Sequence, residues 1–200
     1  MDDKIKTVLD IYHLRIAEER SLPRPASPGD LDQRLLAVGP DTGQFINILA
    51  RSLRAPTILE IGTSYGYSGI WLGDAARASG GRLITLELQA HKSAYARDMA
   101  AKAGLAEYAD FRVGDAVQLI DALETSIDFV LLDLWKDLYV SCLEALYPKL
   151  NPGAIIVADN MLGPAAGVRE YQQAVRAKSN VTSILLPVGS GIEVSRFEPT

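Results

Sequence analysis

Over the first fifty-odd residues apolar side chains recur every three to four positions, and beyond Ala55 the rhythm changes. Ile5, Val8, Leu9, Tyr12 and Ile16 share one face of a helix predicted over residues 3–20. Three prolines and a glycine keep residues 21–29 out of regular structure. Leu31, Leu35 and Leu36 suggest a short second helix. Gly39-Pro-Asp-Thr42 ends it and offers Asp41 or Thr42 as the cap of a third, with Phe45, Ile46, Leu49 and Leu53 on one face. From there, short apolar runs at 57–61, 82–88, 109–113, 127–133 and 154–159 read as strands. Helical stretches at 68–78, 90–103, 116–123 and 136–150 alternate with them, and Gly80-Gly81, Gly104 and Asn151-Pro-Gly153 mark their ends. Such alternation predicts a doubly wound α/β fold whose parallel sheet is covered on both faces. The tail departs from it: a helix over 168–178, then runs at 183–186 and 192–197 joined by Pro187-Val-Gly-Ser-Gly191. This reads as an antiparallel hairpin closing the sheet edge. The expectation is one domain of seven mostly parallel strands, with residues 1–55 as a helical cover and 56–200 as the α/β core.

Composition narrows the partners. The chain has 200 residues, 48% apolar and 22% charged, with a net charge of −5. Mild acidity without a basic run argues against a nucleic-acid partner. No run approaches the roughly 20 apolar residues of a membrane span. Met1-Asp-Asp-Lys-Ile-Lys lacks the apolar segment of a secretory signal. One cysteine, Cys142, leaves no intrachain disulfide and no multi-cysteine metal site, so a reducing cytoplasm is the default and a buried helix face its expected place. Only two histidines, His13 and His91, occur, both on predicted helices, so neither a histidine-based triad nor a zinc site is expected.

Candidate chemistry begins where the first strand ends. Ile58-Leu-Glu-Ile-Gly-Thr-Ser-Tyr-Gly-Tyr-Ser68 is a strand, a glycine turn and a helix start, an order that offers free backbone N–H groups to a ligand. A dinucleotide fingerprint needs glycine at the third and sixth positions, which here are Ser64 and Tyr67. What stands is Glu-x-Gly-x-x-x-Gly, with Glu60 two residues before Gly62. That carboxylate would repel a pyrophosphate and favour a ligand bearing an ammonium and a sulfonium, such as S-adenosylmethionine; an ordinary strand-to-helix turn is the other reading.

Ligands of open parallel sheets sit beyond the carboxyl ends of the strands. Those ends carry Glu60, Glu87, Asp115, Asp133 and the pair Asp159-Asn160. Glu87 suits both hydroxyls of a ribose or is an exposed strand-end charge. Asp115 suits the amine of an adenine or caps the next helix. Asp133, Asp159 and Asn160 supply hard oxygens for Mg²⁺, or are a helix cap and a turn. Lys136, three residues beyond Asp133, is an ordinary surface lysine or, partly desolvated beside a cation, a base. Trp135 either walls the pocket or plugs the core.

From about Val38 to Phe197 the chain resembles the metal-dependent O-methyltransferases of the catechol and caffeoyl-CoA type, a class I S-adenosylmethionine fold with a Rossmann-like sheet. Leu59-Glu-Ile-Gly-Thr-Ser-Tyr-Gly-Tyr-Ser68, Leu132-Asp-Leu-Trp-Lys-Asp-Leu-Tyr139 and Val157-Ala-Asp-Asn160 carry the likeness. The resemblance implies that Asp133, Asp159 and Asn160 bind Mg²⁺ or another divalent cation and that Lys136 is the general base. It implies that Glu60, Gly62, Ser64, Gly66, Ser68, Glu87, Asp115 and Asp133 line the cofactor, that Trp135 flanks its adenine, and that Val38-Gly-Pro-Asp-Thr42 closes over its methionine end. Two departures stand out. Met161-Leu-Gly-Pro164 is short where the plant enzymes carry a longer recognition loop. Val188-Gly-Ser-Gly-Ile192 offers no equivalent of the late acid that touches the substrate hydroxyl in the animal catechol enzyme.

The expected activity is Mg²⁺-dependent methyl transfer from S-adenosylmethionine to a hydroxyl of a catechol-like small aromatic acceptor. A metal-independent N- or O-methyltransferase on the same fold is the alternative, and a cofactor-binding protein without catalysis a third reading. A homodimer stays open as the assembly. The proline-rich loop 22–29 and the first helix are expected near the open edge, as a lid.

Overall fold

A computed structural model describes residues 1–23 and 28–199. The N-terminal cover consists of α1 (Asp3–Ser21), α2 (Pro28–Asp32) and α3 (Pro40–Arg51). The core alternates β1 (Thr57–Ile61), α4 (Tyr67–Ser79), β2 (Arg82–Glu87), α5 (Ala90–Lys102), β3 (Ala109–Val113), α6 (Ala116–Asp121), β4 (Ile127–Leu132), α7 (Tyr139–Leu146) and β5 (Leu150–Ala158). It finishes with α8 (Ala166–Arg176), β6 (Val181–Leu186) and β7 (Ile192–Phe197). The strands form one sheet in the order β3-β2-β1-β4-β5-β7-β6; β1 to β5 run parallel, while β7 is antiparallel to both β5 and β6. This is the Rossmann-like arrangement with an antiparallel C-terminal hairpin that the alternation predicts. No helix among the described residues is long and apolar enough to cross a membrane.

The central strands are apolar almost throughout because helices cover both sheet faces. Alternation of side chains assigns each residue its face. Leu59 and Ile61 of β1 join Val130 and Leu132 of β4 beneath Tyr139, Leu143, Tyr171 and Val175 of α7 and α8. Ile58, Phe129 and Leu131 face the other way, against Ile46 and Ala50 of α3 and Leu72 and Ala76 of α4. Cys142 is fully buried on α7, where the composition places it.

The same parity turns Glu60 to the α4 side. It pairs in register with Thr85 of β2, whose hydroxyl donates to its Oε2 at 2.5 Å. Its Oε1 is buried without a hydrogen bond of good geometry. Burial pushes the Glu60 carboxyl from 4.5 up to about 7, outweighing the pull of the Ser68 and Thr85 hydroxyls.

α1 braces the glycine turn from behind. Ile5, Val8, Leu9 and Tyr12 are buried in a cluster with Tyr67 and Ile70 of α4 and with Met99 and Ala100 of α5. The Tyr12 hydroxyl donates to the Tyr65 carbonyl at 2.6 Å, and the Arg15 guanidinium lies 4.4 Å from the centre of the Tyr65 ring. Asp2 caps α1 through the Ile5 amide and pairs with Arg77 of α4 at 2.6 Å. The described part of the cover is thus packed as a buttress. Residues 24–27 of the expected lid loop lie outside the described residues.

Local chemistry moves several expected boundaries. Pro40 takes the first helical position of α3, so Gly39, at φ +84°, opens that helix and neither Asp41 nor Thr42 caps it. α2 is over by Asp32, and Leu35 and Leu36 follow it on a stretch whose Leu35 amide is held by both Glu19 carboxylate oxygens at 3.1 and 2.9 Å. The helix expected over 136–150 is a 3₁₀ turn (Lys136–Leu138), α7, and a second 3₁₀ turn (Tyr147–Lys149) holding Pro148. Asn151-Pro-Gly153 falls inside β5 rather than before it. The β4–β5 register shifts between Ile127 and Phe129, so Pro152 occupies a break in the ladder where no donor is required.

Two outcomes follow. Tyr12→Phe leaves the Tyr65 carbonyl without its buried donor and should cost about 1–2 kcal/mol, read as a lower urea midpoint. For Glu60 the folded chain binds a proton more tightly than the unfolded chain. Its contribution is therefore most favourable below about 4.5 and falls as pH rises to about 7. Glu60→Gln removes that dependence and should gain roughly 2–3 kcal/mol on wild type between pH 5 and pH 8. Urea unfolding of both proteins without cofactor checks it; an equal difference at the two pH values would refute it.

Candidate active site

A cavity of about 500 Å³ opens beyond the carboxyl ends of β1, β2, β3 and β4. Its wall includes Gly62, Ser64, Glu87, Asp115, Asp133, Trp135, Lys136 and Asn160 from the expected set. Gly62 makes this convergence possible. It sits at φ +102°, and a Cβ there would fall onto the Asp133 carbonyl oxygen. The Asp133 amide in turn donates to the Ile61 carbonyl at 2.9 Å, and the Asp159 amide to the Leu132 carbonyl at 3.0 Å. The parallel ladder therefore runs one residue past each strand and brings the tips of β1, β4 and β5 together.

At the β2 tip, the Glu87 carboxylate accepts from the Ser64 amide at 2.8 Å and the Gln89 amide at 2.9 Å, so it is fixed by backbone and still faces the cavity. Ser64, at φ +47°, also donates its hydroxyl to the Leu35 carbonyl at 3.1 Å. Asp115 caps α6 by accepting from the Gln118 amide at 3.0 Å, as its helix-cap reading expects, and it also lines the cavity. Trp135 is 51% exposed on the rim and plugs no core.

Lys136 turns back into the site. Its Nζ donates to the Tyr139 hydroxyl at 2.5 Å, the Leu134 carbonyl at 3.1 Å and Asp133 Oδ1 at 3.5 Å. Burial lowers the Lys136 pKa, against the opposing pull of Asp133 and Asp159. Burial raises both carboxyls, and for Asp159 the Asp133 charge adds to it. Asn160 donates its amide N–H groups to Asp159 Oδ2 at 2.9 Å and to the Ser190 hydroxyl at 2.8 Å. Among the described residues no group of three His, Cys, Asp or Glu side chains converges; the candidate set is two carboxylates and one amide.

Not every expected residue reaches the cavity. Glu60 is enclosed against α4, Val38 is buried beside Leu36 and Ala37, which do line it, and Gly66 and Ser68 lie behind the wall within the turn and α4. Asp159 is fully buried and touches the site through Asn160. Three polar wall residues escaped the sequence reading. Asp32 of α2 pairs with the buried Lys92 of α5 at 2.6 Å and accepts from Gln89. Gln89 and Lys92 stand two and five places after Glu87, so spacing from the β2 tip was a signal for them. Nothing in the sequence connects Asp32 to Lys92, sixty residues away.

The profile of the O-methyltransferase family matches residues 30–196. A catechol O-methyltransferase of Niastella koreensis is 35% identical over 131 residues, which is 64% of this chain and 59% of that protein. Caffeoyl-CoA O-methyltransferase 1 of Eucalyptus globulus is 28% identical over 218 residues, covering 94% of this chain and 88% of that protein. The crystal structure of the O-methyltransferase TomG of Streptomyces achromogenes in complex with S-adenosylmethionine is similar at a TM-score of 0.77. It is 28% identical and covers 100% of this chain and 91% of that one. With the family profile spanning both the glycine turn and the hairpin, the chain belongs to the O-methyltransferase family and is an S-adenosylmethionine-dependent O-methyltransferase.

Proposed function

We propose that this enzyme methylates a hydroxyl of a vicinal dihydroxy aromatic small molecule with the help of Mg²⁺ or another divalent cation. The observation that carries the reading is Lys136 Nζ held 3.5 Å from Asp133 Oδ1 at the rim of the cavity that the glycine turn opens. The donor set suits a hard cation: Asp133 lines the cavity and Asp159 is buried behind it, both carboxyl pKa values are raised by burial, and an amide residue stands beside them. Uncompensated carboxylates in such a place are costly, and a divalent ion offsets that cost. Asp133, Asp159 and Asn160 would hold it, and when bound it would lower the hydroxyl pKa and fix the orientation of the diol.

The chain's own groups account for the rest. Lys136 Nζ takes the hydroxyl proton, and burial lowers its pKa toward that task. The Tyr139 hydroxyl accepts from Nζ and donates a hydrogen bond to the Leu132 carbonyl at 2.9 Å, which fixes the amine without adding charge. Glu87, Asp115 and Trp135 line the cavity, where they would take the ribose hydroxyls, the adenine amine and the adenine face respectively. The names of the catechol and caffeoyl-CoA relatives support the acceptor class. Short Met161-Leu-Gly-Pro164 favours a small acceptor over a long thioester.

Labelled S-adenosylmethionine with Mg²⁺ and a panel of catechols, caffeate and CoA thioesters should give transfer to at least one vicinal diol. EDTA should abolish transfer and added Mg²⁺ restore it; full activity in metal-free buffer would remove the ion from the reaction. Lys136→Ala should lower turnover by roughly 10²- to 10⁴-fold and leave cofactor affinity within about twofold. Unchanged turnover would reject it as the base.

A further inference from the structure

The turn between β6 and β7 could close the hairpin without touching the site, yet it is seated on it. The Met161 amide donates to the Gly191 carbonyl at 2.8 Å and the Leu162 amide to the Ser190 carbonyl at 3.2 Å, stapling the turn to the two residues that follow Asn160. A Cβ at Gly191 would meet the Leu162 side chain, and one at Gly189 the Thr42 hydroxyl, so the turn is wedged on both flanks. Between these contacts the Ser190 hydroxyl accepts from Asn160 Nδ2 at 2.8 Å and lies 3.3 and 3.4 Å from the two oxygens of Asp159.

That arrangement decides which end of an amide faces the cavity. Asn160 has two N–H bonds to give, and its amide nitrogen donates to Asp159 Oδ2 and to the Ser190 hydroxyl. Neither bond uses its carbonyl oxygen, and Asn160 lines the cavity. An amide turned the other way would present NH₂, whose lone pair is delocalised into the carbonyl and does not serve a cation. The Ser190 hydroxyl is suited to the task because it accepts from Asn160 while its own proton goes to Asp159, so one group orients both neighbours.

We propose that Ser190 is a positioning residue that holds the Asn160 amide and the Asp159 carboxylate in the orientation a divalent cation requires. The inference rests on the metal reading of the proposed function. Ser190 is exposed and bears no part of the core, so its hydroxyl can be removed without disturbing the sheet.

Mg²⁺ titrated calorimetrically into cofactor-free wild type, Ser190→Ala and Ser190→Thr tests it, with S-adenosylmethionine affinity and thermal unfolding measured on each. Ser190→Ala should weaken Mg²⁺ by ~10- to 100-fold, the loss typical of a residue that orients ligands from behind. Ser190→Thr, which keeps the hydroxyl, should restore affinity to within about threefold of wild type, and cofactor affinity and unfolding temperature should be unchanged in all three. Equal Mg²⁺ affinity in wild type and Ser190→Ala would overturn the positioning role and leave the metal reading intact, as would a loss that Ser190→Thr fails to repair. No Mg²⁺ binding by wild type would overturn both.

Discussion

The structure depends on how closely two backbones approach where β1 and β4 leave the sheet. The Asp133 carbonyl occupies the space a side chain at position 62 would need, and the Asp133 amide extends the ladder to Ile61. This fixes the glycine turn against the strand tip that carries Asp133, Trp135 and Lys136. The glycine turn and the segment that carries Lys136 are therefore parts of one junction. Rigid elements hold reacting groups more closely than loops do, and methyl transfer gains much of its rate from such placement.

Around this junction the fold buries charge that a stability-driven core would avoid. Glu60 lies in the sheet with one oxygen unpartnered; Asp133 and Asp159 share the influence of one lysine. Buried acids of like charge raise each other's pKa and cluster where chemistry is performed. Two other buried acids are paired with arginine. Glu193 receives two bonds from Arg176 and one from Ser183, and Asp74 meets Asn47, Arg51 and Arg77. The contrast sets acids paired with arginine apart from the acids at the junction, which no arginine among the described residues meets.

Much of this was legible in the sequence because an open parallel sheet converts strand ends into one edge. β1, β3 and β7 begin and end where their apolar runs do, and Glu87, Asp133 and Asn160 arrive at the cavity through that rule alone. Glu60 also stands near a strand end, but its parity with Ile58 points it at α4, a distinction that alternation carries and end-counting ignores. The prolines misled twice: Pro152 was tolerated inside β5 by a shift in register, and Pro40 began α3 instead of preceding its cap. Contacts made across the fold left no trace in local pattern. The pairing of Asp32 with Lys92, the seat of Tyr12 on the glycine turn, and the reach of Ser190 to Asp159 all join segments remote in sequence.

Asn160 sits at φ +57°, a left-handed backbone that asparagine and aspartate enter more readily than longer side chains do. Glutamine or glutamate would keep an oxygen but add a methylene and a backbone cost of roughly 1–2 kcal/mol. Glycine would relax the chain and deliver no oxygen. Aspartate would fit the backbone but crowd a third negative group beside two carboxyls already driven toward protonation. Asparagine thus joins a short reach and an uncharged oxygen to a tolerance of this inverted turn.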